Sequence, residues 1–292
     1  MTSTDAKLYV GKEDLSEALV TGWRRISDTV QTVTVEWPDH HTFYTPIPGS
    51  YSPLLFTESV RQALALVCRT SYGIPATHRM GWARLRSETE PAALRTTGVP
   101  VRAEFRVTHS SVTRRKLGSV HFVAHVEGTV GTLRAGSAEI HYSAHPAAIY
   151  DRLRGPYAEA AHAFAQAPAP TTPLPARRVG RTDPHDVVLS PTDAPDRFRL
   201  RVDTTHPVLF DHPHDHIPGM VLLEAAGQAA LATSPYPATA TAFDTHFDRY
   251  VEFDAPCLLT AAPSPAGRGT RVTAHQHGHR VFTSEVTLTP TP

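Results

Sequence analysis

Residues 217–234 read IPGMVLLEAAGQAALATS. After the Pro218–Gly219 start, the segment has helical composition and is apolar on nearly every face, so a helix here must be enclosed by protein on all sides. Upstream, residues 52–73 read SPLLFTESVRQALALVCRTSYG. Ser52 is an N-cap, Pro53 suits the first helical position and Gly73 is a stop, which together predict a helix of about 20 residues. Laid over one another at an offset of 166 residues, the two segments align Glu58 with Glu224, Gln62 with Gln228 and Ala63 with Ala229. Both helices therefore carry E-x-x-x-Q-A at one place.

The surroundings repeat as well. Alternating, β-branched stretches follow the first helix at 99–108, 119–127 and 129–142. Around the second helix, strand-like segments fall at 196–202, 247–253, 257–261, 270–275 and 281–289. A long helix wrapped by a curled antiparallel sheet is the hotdog arrangement, and its repetition predicts an α+β double hotdog with two central helices. An α+β sandwich of other topology is the alternative. Residues 165–175, AQAPAPTTPLP, have no hydrophobic periodicity and predict an extended linker. The expected division is an N-terminal domain 1–164, a linker 165–180 and a C-terminal domain 181–292. Arg177, Arg178 and Arg181 are expected to be a solvated linker end, and 150–166 a short helix.

The 292 residues suit two domains. Lys plus Arg and Asp plus Glu both total 28, a net charge of +0, which disfavours a nucleic-acid binder. Two cysteines, Cys68 and Cys257, are too few for a disulfide framework and lack zinc spacing. No basic-then-apolar leader and no run of 18 apolar residues occurs, so the expectation is a soluble cytoplasmic protein.

Residues 206–230, HPVLFDHPHDHIPGMVLLEAAGQAA, resemble the signature of the A-factor biosynthesis (AfsA) family, FDH-x-x-DH-x-PGM-x-L-x-EA-x-x-QA. Residues 41–44 followed by 58–63 resemble the family's N-terminal repeat and 250–254 its segment after the second helix, so the likeness spans most of the chain. One position departs: the family's second helix usually reads E-A-x-R-Q-A, and residue 227 here is Gly. An arginine role there is expected to be absent or supplied from elsewhere, by Arg61 or Arg249. PGMVLLEAAGQ is also similar to the helix of hotdog acyl-carrier-protein dehydratases, but the histidine spacing before Pro218 is not theirs.

The AfsA resemblance implies transfer of a β-ketoacyl group from acyl carrier protein or CoA to the hydroxyl of dihydroxyacetone phosphate. The resulting ester is a precursor of γ-butyrolactone, butenolide or furan signals. Such chemistry needs a base, oxyanion donors and a cation for phosphate. Glu224, desolvated in an apolar helix, is the expected base; Glu58 holds the same place in repeat one and is the second catalytic candidate, although its polar neighbours suit an ion pair nearly as well. The cluster His206, Asp211, His212, His214, Asp215 and His216 has three readings. His-x-His-x-His can bind zinc, although no matching ligand set stands elsewhere and none is assigned. His212 or His216 can move a proton while an aspartate, Asp211 among them, fixes the tautomer. Or the aspartates simply brace a tight loop.

The helix start at Gly219 and Met220 suits a thioester oxygen. Arg61 or Arg249 suits phosphate. Gln228, His41 and Tyr44 complete the expected substrate contacts, and Leu55, Phe56, Met220 and Leu223 an acyl tunnel. No cofactor is expected. The carrier thioester and dihydroxyacetone phosphate are the expected partners, with no nucleic acid or membrane and a homodimer possible. A hotdog thioesterase or dehydratase and a non-catalytic acyl- or butenolide-binding module are the competing readings.

Overall fold

A computed structural model describes residues 9–265, 267 and 269–291. The chain divides into two compact units, Met1–Leu153 and Arg154–Pro292.

In the first unit six antiparallel strands are β1 (Val20–Arg25), β2 (Val30–Trp37), β3 (Arg79–Thr89), β4 (Val101–Arg114), β5 (Val120–Val130) and β6 (Leu133–His145). They lie in the order β1-β2-β4-β5-β6-β3. Helix α1 (Pro53–Tyr72) packs on the inner face of this sheet. Its start and stop are those the sequence predicts: the Ser52 hydroxyl accepts from Leu54 N, and Gly73 closes the helix at φ 64° with its N–H on Cys68 O. Along β4 burial alternates, with Val101, Ala103, Phe105 and Val107 inward, which is the half-buried pattern of a sheet with one solvated face. Gly128 on β5 is a packing requirement, since a Cβ there would stand 2.6 Å from the Phe56 ring.

The second unit repeats the plan. Its short helices α2 (Ala147–Arg154, begun in the first unit) and α3 (Ala160–Ala165) precede β7 (Leu189–Pro191) and β8 (Arg197–Leu200). Helix α4 (Gly219–Thr233) and strands β9 (Ala238–Phe247), β10 (Leu258–Pro263), β11 (Thr270–Gln276) and β12 (His279–Pro290) follow. The order β7-β8-β10-β11-β12-β9 is the first unit's order strand for strand. From Met220 to Ala230 every residue of α4 is buried, as its all-round apolar sequence demands.

Four expectations need correction. The helix expected over 150–166 is two short ones, broken at Gly155–Pro156. Residues 248–253 are a loop, because their backbone is used elsewhere: Val251 O accepts Ile217 N (2.8 Å) and Glu252 N donates to the Gln276 side chain (2.7 Å). The strands β1, β2, β3, β7 and β9 are not among those the sequence suggests.

The proline–alanine stretch, finally, is fastened to the second unit and is no free linker. Leu174 is buried with its N–H on Leu189 O, Thr171 and Ser190 share a 2.6 Å hydrogen bond, and Arg201 donates to Thr171 O. Arg177 and Arg178 are exposed as expected, but Arg181 is only 4% exposed.

Candidate active site

Each central helix carries a buried polar network, and the two networks match group for group. In the first unit Gln62 Nε2 donates to Glu58 Oε1 and to Glu17 O, and Gln62 Oε1 accepts from Leu19 N, all at 2.8 Å. His41 Nδ1 accepts the Phe43 and Tyr44 N–H groups, so the ring proton sits on Nε2, which donates to Glu17 at 3.2 Å. In the second unit Gln228 Nε2 donates to Glu224 Oε1 (2.6 Å) and Asp186 O (2.8 Å), and its Oε1 accepts from Val188 N (3.0 Å). His206 Nδ1 accepts Val208 and Leu209 N–H, and its Nε2 faces Asp186 Oδ1 at 3.2 Å. The E-x-x-x-Q repeat thus ties each helix to the chain segment that enters its sheet.

The cations differ. Glu58 is gripped by Arg61 from its own helix, through Nε to Oε2 and Nη2 to Oε1, both 2.8 Å, with Lys12 Nζ at 4.0 Å. Glu224 is gripped by Arg181, Nε to Oε1 at 2.9 Å and Nη2 to Oε2 at 2.6 Å. Arg181 precedes Asp186 by five residues, as Lys12 precedes Glu17. The arginine missing at 227 is therefore supplied from the N-terminal side of the network, and neither Arg61 nor Arg249 supplies it. Sequence reading missed it because the arginine stands 43 residues from its partner, beside a proline-rich segment.

These contacts change the roles expected of several residues. Glu224 is desolvated but not alone: both its oxygens are engaged, which suits a brace better than a proton acceptor. Burial works to raise the Glu58 carboxyl, but the Arg61 and Lys12 charges and hydrogen bonds from Arg61 and Gln62 outweigh it and lower it from 4.5 to about 2. A folded value below the unfolded one means stability that is full above about pH 4.5 and lost as pH falls toward about 2. Urea unfolding followed from pH 6 to 2 checks this: Glu58→Gln should cost on the order of 3 kcal/mol at neutral pH and flatten the decline below pH 4.5.

His41, Tyr44 and Gln228 are buried in or beside these networks, and Leu55, Phe56 and Leu223 are fully buried core side chains; Met220 is 8% exposed. Phe56 packs on Phe105 with ring centroids 5.2 Å apart, so these side chains fill the core where an acyl tunnel was expected.

The partly exposed chemistry lies in the loop before α4. Asp215 Oδ1 holds His216 Nδ1 at 2.8 Å, and Asp211 Oδ1 lies 2.9 Å from His212 Nδ1. Arg154, buried and missed by the sequence reading, anchors the first pair: its Nε donates to Asp215 Oδ2 (2.8 Å), Nη2 to Asp215 O (2.7 Å), and the guanidinium grips Glu252 bidentately. Its carbon sits 4.2 Å from the Tyr250 ring centroid, and that ring meets His216 edge-on at 4.7 Å. Arg249, next in sequence, is exposed. Asp211, His212 and His214 bring one ligand atom each within 4.8 Å of one another.

The helix start completes the loop. Pro218 at the N-cap has no side-chain acceptor to offer, whereas Ser52 caps α1. The N-cap side chain therefore covers none of the first N–H groups of α4, of which those of Val221 and Leu222 turn to Pro218 O. Gly219 admits the Phe247 ring, which would stand 3.3 Å from a Cβ.

Two units, each one helix wrapped by a six-stranded antiparallel sheet of one strand order, define a double-hotdog protein. The fold resembles a pyran synthase domain from module nine of the sorangicin pathway (TM-score 0.53, 10% identity, 94% of this chain and 98% of that one). It also resembles an acyl-ACP thioesterase from Bacteroides thetaiotaomicron (TM-score 0.53, 12% identity, 88% and 98%). At these identities the likeness is one of fold.

The chain belongs to the A-factor biosynthesis hotdog family, whose domain model matches residues 3–141 and 162–292. It is 36% identical to a 2-oxo-3-(phosphooxy)propyl 3-oxoalkanoate synthase of Streptomyces virginiae over 97% of this chain and 96% of that protein. It is 38% identical to the synthase of the same name from Streptomyces coelicolor over 94% and 88%. Among the described residues no helix is long and apolar enough to cross a membrane.

Proposed function

We infer that this chain is an acyltransferase that joins the acyl group of a 3-oxoacyl thioester, borne by acyl carrier protein or CoA, to the hydroxyl of dihydroxyacetone phosphate. The observation that carries this reading is identity of 36–38% along nearly the whole chain to synthases named for that ester. The hydroxyl oxygen attacks the thioester carbonyl, its proton leaves to a base, the C–S bond breaks and the thiolate is protonated. The ester can then close to a butenolide by intramolecular aldol condensation.

His216 is the base in this scheme. Asp215 holds its Nδ1 and is itself held by Arg154, so the imidazole is fixed in orientation and tautomer. The Gly219 and Met220 N–H groups at the start of α4 receive the developing oxyanion, where backbone donors and the helix dipole add. Arg249, exposed beside Tyr250, takes the phosphate, because Arg61 already grips Glu58.

Mass spectrometry of products from purified protein, 3-oxoacyl thioesters of varied length and dihydroxyacetone phosphate tests the reading. The expected product is the phosphorylated 3-oxoalkanoate ester, formed only when the triose phosphate is present. Thioester hydrolysis at the same rate without it would identify a thioesterase, and tight butenolide binding with no turnover a sensor.

A further inference from the structure

We propose that Asp211, His212 and His214 form a binding site for a divalent first-row transition cation, zinc by preference, on the loop that leads into α4. The sequence offered a histidine alternation without a matching ligand. Folding supplies that ligand from next door: one atom from each of the three residues lies within 4.8 Å of the others.

The closest pair carries the argument. His212 Nδ1 is buried and makes no hydrogen bond, yet it lies 2.9 Å from Asp211 Oδ1. The ring-plane direction of Nδ1 misses that oxygen, so the two atoms lie close without a hydrogen bond between them, and a cation beside them can engage both. Two donors of a common metal at 2.0–2.1 Å stand about 3 Å apart, at the edge of its coordination polyhedron. The His214 ring lies against His212 with centroids 4.1 Å apart, so a ring nitrogen of each can face one point after small χ adjustments. All three residues are half-buried, which leaves an approach for the ion and a fourth position for water or a substrate oxygen. Two imidazoles and one carboxylate form a donor set suited to zinc, cobalt or iron(II) and poorly suited to magnesium or calcium, which favour all-oxygen sites. The assignment stands whether or not the chain is an acyltransferase.

Chelator-stripped protein titrated with cobalt(II), then zinc, tests it. One equivalent of cobalt should give the intense visible band of a four-coordinate site, displaced stoichiometrically by zinc. His214→Asn and Asp211→Asn should each weaken zinc binding at least about 10-fold in calorimetry. His125→Asn, in the separate His125–Glu139–His141 group on the first unit's sheet, should leave it unchanged. Circular dichroism and melting confirm that each variant is folded. Should either loop variant fail to fold, paramagnetic shifts of the His212 and His214 ring protons in cobalt-loaded wild-type protein decide. No stoichiometric binding, binding undiminished in folded loop variants, or binding lost in the His125 variant overturns the proposal.

Discussion

Replacing Arg181 by methionine lowers the unfolding free energy by about 3–5 kcal/mol, because it leaves the Glu224 carboxylate buried without its counter-charge. Both Glu224 oxygens are bound by that guanidinium, and side-chain exposure is 3% for Arg181 and 6% for Glu224. Water cannot take over the lost contacts. Removing the charge as well, in the Arg181→Met/Glu224→Gln double variant, should cost less than Arg181→Met alone. Gly227→Arg added to Arg181→Met should recover part of the loss. Position 227 matches Arg61, a Cβ there meets Phe243 and Ala240 at 3.6 and 3.7 Å, and Arg61 reaches its glutamate from the same helical spacing. Exposed Arg178→Met should stay within about 0.5 kcal/mol of wild type. Denaturant melts of the five proteins check the set. A loss below about 1 kcal/mol for Arg181→Met would mean the pair does not brace the second helix.

The second large effect is on turnover. His216→Asn should reduce kcat by about 10²–10⁴-fold while KM for dihydroxyacetone phosphate changes little, since removal of a positioned base slows the proton transfer and leaves phosphate binding intact. The side chain is 24% exposed, so its loss opens no core cavity and the melting temperature should hold. Arg249→Ala should do the reverse and raise that KM. Glu224→Gln separates the two carriers of the base role: activity lost only in proportion to unfolded protein keeps Glu224 as a brace. A folded Glu224→Gln variant without turnover would transfer the base role from His216 to Glu224.

The E-x-x-x-Q repeat was legible because a helix carries its register in its own sequence, and a buried helix must be apolar all round. That reading gave both central helices and the hotdog architecture, while the family came from the likeness of residues 206–230 to its signature. Long strands with clean alternation, such as β4, were equally readable. Strands β1 and β7, six and three residues long, carry too short a pattern to read as strands.

The sequence picks out the loop before α4 by its histidines and aspartates but not which of them pair. Which histidine an aspartate holds depends on backbone turns that no spacing specifies. Asp215 rather than Asp211 is braced by Arg154, from 61 residues away. Arg181, set aside as a solvated linker residue, completes the second network across 43 residues. Local sequence determined what depends on periodicity and capping: the helices, their shared motif and the wrapped-helix fold. Only the tertiary structure decided which charges neutralise which, because ion pairing is set by distance in space: it places Arg181 on Glu224 and Arg61 on Glu58, each carboxylate buried and paired.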